Sequence, residues 1–172
     1  LFACRNPLSR GVILADEVGL GKTIEAGLVI AQHWAERRRH ILVIVPANLR
    51  KQWHQELQDK FNLQGLILEA KSYNAIRKQE RQNPFLMASG PVICSYQFAK
   101  AKAEDIKDIE WDLVVLDEAH RLRNTAELVA GRSPREYSAD HESEFFLPRK
   151  LADASRVAGV VADHLRRGPS LR

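Results

Sequence analysis

The run Asp16-Glu17-Val18-Gly19-Leu20-Gly21-Lys22-Thr23 sits between a short apolar stretch and a segment with helical spacing. That strand–loop–helix context is what a phosphate-binding loop requires. Gly19 and Gly21 permit a close backbone approach that a Cβ would obstruct. Their N–H groups, with the helix N-terminus that follows, form a concave anion site. Lys22 then reaches the β and γ phosphates as a point charge, and the Thr23 hydroxyl is a hard oxygen suited to Mg²⁺. The generic pattern G-x-x-x-x-G-K-[ST] opens on Gly, whereas Asp16 stands there. Read alone, the run is also compatible with a glycine-containing turn that carries a surface lysine.

A second cluster lies ninety-odd positions downstream. Leu113-Val114-Val115-Leu116 runs into Asp117-Glu118-Ala119-His120, an apolar strand ending in two adjacent carboxylates. In nucleotide hydrolases the strand-end Asp holds Mg²⁺ and a neighbouring acid orients the attacking water. By itself such a pair is a solvated acidic loop. Together with a Gly-Leu-Gly-Lys-Thr loop in a compatible fold it points to ATP and Mg²⁺.

Both clusters need a scaffold that brings strand ends to one edge. Apolar runs of strand length occur at Val12–Ala15, Ile41–Val45, Leu66–Leu68, Val92–Cys94 and Leu113–Leu116. They are apolar on both faces, as strands covered on two sides must be. Between them, Thr23–Arg38 places Ile24, Leu28, Ala31 and Ala35 on one helical stripe. Leu49–Phe61 aligns Leu49, Trp53, Leu57 and Phe61, while Tyr73–Arg81 and Gln97–Asp108 read as weaker helices. Alternation of this kind predicts an α/β fold, doubly wound around a mainly parallel sheet. After Asn124 the pattern changes. Gly131-Arg132-Ser133-Pro134 signals a turn, Arg135–Ser143 is polar, and Arg149–Arg167 has the spacing of an amphipathic helix. The tail is therefore expected to be helical or irregular and to add little to the sheet.

At 172 residues, with 45% hydrophobic and 28% charged, the chain is long and apolar enough for one core and is not a disordered polymer. Cys4 and Cys94 are too few and too far apart for a disulfide scaffold or a zinc site, and read as small apolar fillers of a reducing compartment. His33, His54, His141 and His164 form no spaced ligand set. No apolar stretch is long enough to span a membrane, and Leu1-Phe2-Ala3-Cys4-Arg5 reads as an internal start rather than a leader. The net charge of +4, from 26 basic against 22 acidic residues, does not by itself select a nucleic-acid partner. The Arg37-Arg38-Arg39-His40 cluster suits a helix C-terminus better than a phosphate site.

The run from Leu14 to Gly27 resembles motif I of the Swi/Snf-type ATPases of helicase superfamily two, and within them the bacterial RapA-like branch. That family carries an acidic pair before Gly-Leu-Gly-Lys-Thr, which accommodates Asp16. Val45-Pro46 with Gln52-Trp53 is similar to motif Ia, and Ile93-Cys94-Ser95-Tyr96 to motif Ib. Asp117-Glu118-Ala119-His120-Arg121-Leu122-Arg123-Asn124 is similar to motif II with its extension. Four motifs in family order cover Gly11 to Asn124.

The resemblance implies one RecA-like, P-loop lobe over residues 1–124, truncated before its adenine-recognising segment, and a divergent tail over 125–172. It implies nucleotide binding by Asp16, Glu17, Gly19, Leu20, Gly21, Lys22 and Thr23. Thr23 and Asp117 would hold Mg²⁺, Glu118 would activate water, and His120 would couple nucleotide state to a neighbouring lobe. Pro46, Gln52, Trp53, Ser95 and Tyr96 would face the nucleic-acid backbone, although helix spacing makes core packing of Trp53 an equal reading and Ser95-Tyr96 an ordinary turn. Arg121 and Arg123 would touch DNA or cap nearby carboxylates. Relatives of this type translocate on double-stranded DNA and displace bound proteins, with RNA polymerase or another DNA-bound complex as partner and a cytoplasmic, nucleoid-associated location in bacteria. A second lobe would supply an arginine finger, a residue that contributes on the order of 10³–10⁵ in rate; alone, the chain is expected to bind Mg-ATP weakly and hydrolyse it slowly. The rival readings are the lobe of a strand-separating helicase or restriction-type translocase, and a non-catalytic interaction module.

Overall fold

The computed structural model describes the backbone at 11–15, 22–118 and 144–148, and side chains over 23–118. The loop residues Asp16, Glu17, Gly19, Leu20 and Gly21 lie outside the described residues. So do Cys4, His120, Arg121, Arg123 and the helix expected over 149–167. Chain order gives β1 (Gly11–Ala15), α1 (Lys22–Ala35), β2 (Ile41–Val45), α2 (Arg50–Phe61), β3 (Leu66–Ile67) and α3 (Ala70–Glu80). It continues through β4 (Val92–Ser95), α4 (Tyr96–Ala101), α5 (Ala103–Lys107), β5 (Leu113–Leu116) and β6 (Glu144–Pro148).

The strands form one sheet in the order β1-β6-β5-β2-β4-β3. β2 is parallel to β4 and to β5, and β3 is parallel to β4. β6 runs antiparallel to both β1 and β5, so β1 points the same way as β5. All four longer parallel strands therefore end on one edge. The register makes this tighter, because Ile13, Phe146, Leu116, Ile44 and Cys94 form a single row across the sheet.

Both sheet faces are covered, as the doubly wound pattern requires. Leu42, Ile44, Val92, Cys94, Val114 and Leu116 pack with Tyr73, Phe98 and Trp111 on one side. Their odd-even neighbours Ile41, Val43, Val45, Ile93, Leu113 and Val115 pack with Ala26, Ile30, Trp53 and Leu57 on the other. This alternation is the period of two of a strand, made apolar throughout by burial on both faces. Cys94 fills space in the first cluster, and burial pushes its thiol up to about 12, which keeps it protonated and inert.

Three sequence expectations need correction. The buried stripe of α1 is Ala26, Gly27 and Ile30, whereas Ile24 and Leu28 are 41% and 58% exposed. Small residues decide the rotation: a Cβ on Gly27 would stand 2.2 Å from Cε2 of Phe61, so α2 closes on α1 there. The helix expected over Gln97–Asp108 is two helices, α4 and α5, broken at Lys102 (φ −118°, ψ 26°). The Lys102 ammonium lies 4.1 Å above the Tyr73 ring, a cation–π contact between α3 and the break. Finally, the tail expected to be helical or irregular and to add little to the sheet supplies β6, in the slot between β1 and β5.

The Arg37–His40 segment follows the C-terminal end of α1, at the sheet edge opposite the one where β2 and β5 finish. Arg37 adopts φ 64°, Arg38 pairs with Glu36 at 3.4 Å, and Arg39 stacks 3.9 Å over Trp34. In α1 itself, His33 has a buried Nδ1 with no hydrogen-bond partner. Burial first, and then the Arg38 charge, lowers its pKa from the ordinary 6.5, against smaller opposing effects of Glu36 and Asp112. The folded state thus prefers neutral His33. Its contribution is complete above about pH 6.5 and is lost as the pH falls through 6.5 toward the lower folded value. His33→Gln is expected to flatten the pH dependence of urea stability between about pH 7 and 5. An unchanged slope would remove His33 as its source.

Candidate nucleotide site

Local backbone chemistry brings the carboxylates to the sheet edge. β5 is buried throughout, and the ladder continues one residue past it, where the Asp117 N–H donates to the Ile44 carbonyl at 3.0 Å. Glu118 then takes a left-handed conformation with φ 57°. Among the described residues, three other non-glycine residues do so, and all three follow helix ends: Arg37, Asn62 and Arg81. Glu118 follows a strand. A β-carbon in this region costs on the order of 1 kcal/mol, and such outliers cluster where function needs a particular turn.

Asp117 is 5% exposed and is held from two further directions. Trp53 Nε1, from α2, donates to Asp117 Oδ2 at 2.8 Å. The Tyr96 hydroxyl, at the start of α4, donates to the Asp117 carbonyl at 2.6 Å. Trp53 arrives there because α2 buries the Trp53–Leu57 side of its surface, so the indole passes under the strand ends with its N–H forward. Tyr96 arrives because Ser95 ends β4 and caps α4, accepting the Phe98 N–H at 3.2 Å, which turns the next side chain inward.

The loop half of the site enters from β1 and leaves into α1. β1 lies two strand spacings from β5, about 10 Å across the sheet. In the shared row, Ile13 is level with Leu116, so β1 ends at Ala15 two residues farther out on the same edge. Lys22 opens α1, and Thr23 in its first turn is half-buried. The register thus sends both motif-bearing strands out of the same edge of the sheet.

The residues expected on nucleic acid divide differently. Trp53, Ser95 and Tyr96 are 1%, 6% and 7% exposed, and Pro46 is buried as well. Their side chains leave almost no surface for a phosphate backbone, because those of Trp53 and Tyr96 are spent on Asp117 and that of Ser95 on a cap. Gln52 is the exposed member of the set, bonded along the helix to Glu56 at 2.9 Å. The sequence expectation set Trp53 and Tyr96 against nucleic acid, whereas both hydrogen-bond the strand-end aspartate. The available signal was Trp53 in register with Leu49 and Leu57, which marks an inward-facing indole whose N–H needs an acceptor.

The SNF2-related domain matches residues 1–141. The chain belongs to this family. This SNF2-related chain is similar to the RNA polymerase-associated protein RapA of Serratia proteamaculans, 44% identical over 115 residues. RapA of Cronobacter sakazakii is 45% identical over the same length. In each case the match takes in 64% of this chain and 12% of the relative, so the chain spans about 12% of the length of these curated relatives. Among solved structures, the Sulfolobus solfataricus SWI2/SNF2 ATPase core in complex with dsDNA has a TM-score of 0.51 at 24% identity. That likeness covers 67% of this chain and 23% of the other, and is a likeness of fold. The chain thus carries a SNF2-related (Swi/Snf-type) domain with the α/β architecture of a RecA-like lobe.

Proposed function

We propose that the chain is the ATP-binding lobe of a translocase that moves along double-stranded DNA and remodels bound proteins. The observation that carries this reading is the common exit edge of β1 and β5, each running directly into a motif with phosphate or metal chemistry. Lys22, Gly19 and Gly21 bind phosphate, with Asp16, Glu17 and Leu20 completing the loop. The donor set fits Mg²⁺: a hydroxyl at Thr23 and an oriented carboxylate at Asp117 are hard oxygens, and this ion uses few protein ligands when phosphates supply the rest. When bound, Mg²⁺ would neutralise charge on the β and γ phosphates. Glu118, next to Asp117 in a left-handed backbone turn, orients water toward the γ-phosphate, and His120 relays the nucleotide state to a second lobe.

The partners follow from the relatives. RapA is RNA polymerase-associated by name, and the Sulfolobus core was solved on dsDNA. RNA polymerase or another DNA-bound complex is the proposed target of the whole protein, and the bacterial cytoplasm at the nucleoid its place of work. Backbone tracking requires main-chain N–H groups and a few polar side chains, since phosphates position without specifying sequence. Gln52 is suited to that task.

Calorimetry with a non-hydrolysable ATP analogue and Mg²⁺ tests the reading. Lys22→Ala is expected to weaken binding about 10–100-fold, the worth of a charge-assisted contact of roughly 1.5–3 kcal/mol. Equal affinity in the two proteins would overturn the phosphate-loop assignment.

A further inference from the structure

We infer that Trp53 and Tyr96 are positioning residues that set the Asp117 carboxylate for a divalent cation, an inference that rests on the nucleotide reading above. Asp117 is fixed at three atoms by three different elements. Its N–H bonds to Ile44 of β2, its carbonyl accepts from Tyr96 of α4, and its Oδ2 accepts from Trp53 of α2. The two main-chain bonds fix where the side chain starts. The indole restrains the carboxylate at Oδ2 and with it the orientation of the side chain.

Trp111 shows what a purely packing tryptophan does in the same fold. It is buried to the same degree, and its Nε1 donates to the Ile106 main-chain carbonyl at 2.9 Å. Trp53 instead spends its N–H on a carboxylate 64 positions away, at the sheet edge where ligands bind in open α/β folds. A hydrogen bond from a neighbouring side chain to a ligating group orients that ligand, and its loss typically weakens metal affinity 10–100-fold. Trp53 and Tyr96 stand in that relation to Asp117. They act through the aspartate and need touch neither nucleotide nor cation.

The test measures binding of a non-hydrolysable ATP analogue to the 172-residue chain across a Mg²⁺ series and in chelator, with Mn²⁺ binding followed directly by electron paramagnetic resonance. Trp53→Phe keeps an aromatic ring and deletes the N–H. Its affinity for the analogue in chelator is expected within about twofold of wild type, while the Mg²⁺ concentration for half-maximal enhancement rises about tenfold or more. Tyr96→Phe, which removes only a hydroxyl, is expected to shift the same midpoint about threefold, and it keeps the inference testable if Trp53→Phe fails to fold. Trp111→Phe loses an equivalent indole N–H and is expected to lower stability with no change in metal dependence. An unchanged Mg²⁺ midpoint in Trp53→Phe and Tyr96→Phe, or an equal loss with and without metal, would reduce both residues to packing. A wild-type chain with no metal-enhanced binding would instead overturn the nucleotide reading itself, and this inference with it.

Discussion

Replacing Glu118 by Gln is expected to leave Mg-ATP binding within about threefold of wild type and to lower single-turnover hydrolysis by roughly 10²–10⁴. The size follows from the proposed role: a carboxylate that orients and accepts from the attacking water acts on the reaction barrier and little on ground-state affinity. The backbone supplies an independent check. Glu118 holds φ 57°, a conformation glycine adopts without strain. Glu118→Gly relieves on the order of 1 kcal/mol of left-handed strain and gives back about 0.4–1 kcal/mol through the greater freedom of its unfolded chain. The backbone share of the stability change is therefore below about 1 kcal/mol, while hydrolysis falls as in Glu118→Gln. A Glu118→Gln protein that loses nucleotide binding would assign Glu118 to holding metal instead. One that keeps its hydrolysis rate would remove it from the chemistry.

The core strands were readable because burial on both faces writes itself into composition. Ile41–Val45 and Leu113–Leu116 coincide with β2 and β5 residue for residue, since no polar position interrupts either run. The rotation of α1 was not readable from apolar spacing. Ile24 and Leu28 make the more hydrophobic stripe, yet the helix turns its small residues inward because Gly27 lets the Phe61 ring approach. Hydrophobicity scored per residue misses such a choice, in which close backbone approach outweighs side-chain area. β6 escaped for another reason. Phe145-Phe146-Leu147 is only three apolar residues long and abuts Pro148, and its pairing with β1 is a contact across more than 120 positions. Strand pairing of that range leaves no local periodicity.

At the site, types and spacing grouped two motifs, and the sheet register sends the strands that precede them, β1 and β5, out of one edge. What spacing could not show is the direction of side chains within motifs. Trp53 and Gln52 are neighbours in sequence and about 100° apart on α2, so one is buried on Asp117 and the other faces solvent. A motif written as a string joins the two as though they did one task. Tyr96 is similar, because the Ser95 cap sets the first turn of α4 and turns the phenol back toward Asp117, away from solvent.

Trp111→Ala is expected to cost about 3–5 kcal/mol in urea unfolding. Trp111 is 1% exposed, meets Phe85 edge-on at 6.1 Å, and bonds the Ile106 carbonyl, so it joins α5, the segment before β4 and the entry to β5. Deleting it opens a cavity among Phe85, Phe98 and Ile106 and removes the indole bond to the Ile106 carbonyl, which keeps the Ile109 N–H at 3.3 Å. Domains of this size are stable by only about 5–15 kcal/mol, so the variant consumes a large part of the margin. Trp111→Phe retains most of the volume and is expected to cost about 1–2 kcal/mol, chiefly the lost hydrogen bond. Trp34→Ala gives the contrast: its ring is half-buried and carries Arg39 at 3.9 Å, an exposed cation–π contact worth about 0.5–1 kcal/mol beyond its packing. If Trp111→Ala and Trp34→Ala cost the same, the cluster beneath β5 repacks freely. Entry to β5, and with it the placement of Asp117 four residues after Leu113, would then depend on the sheet alone.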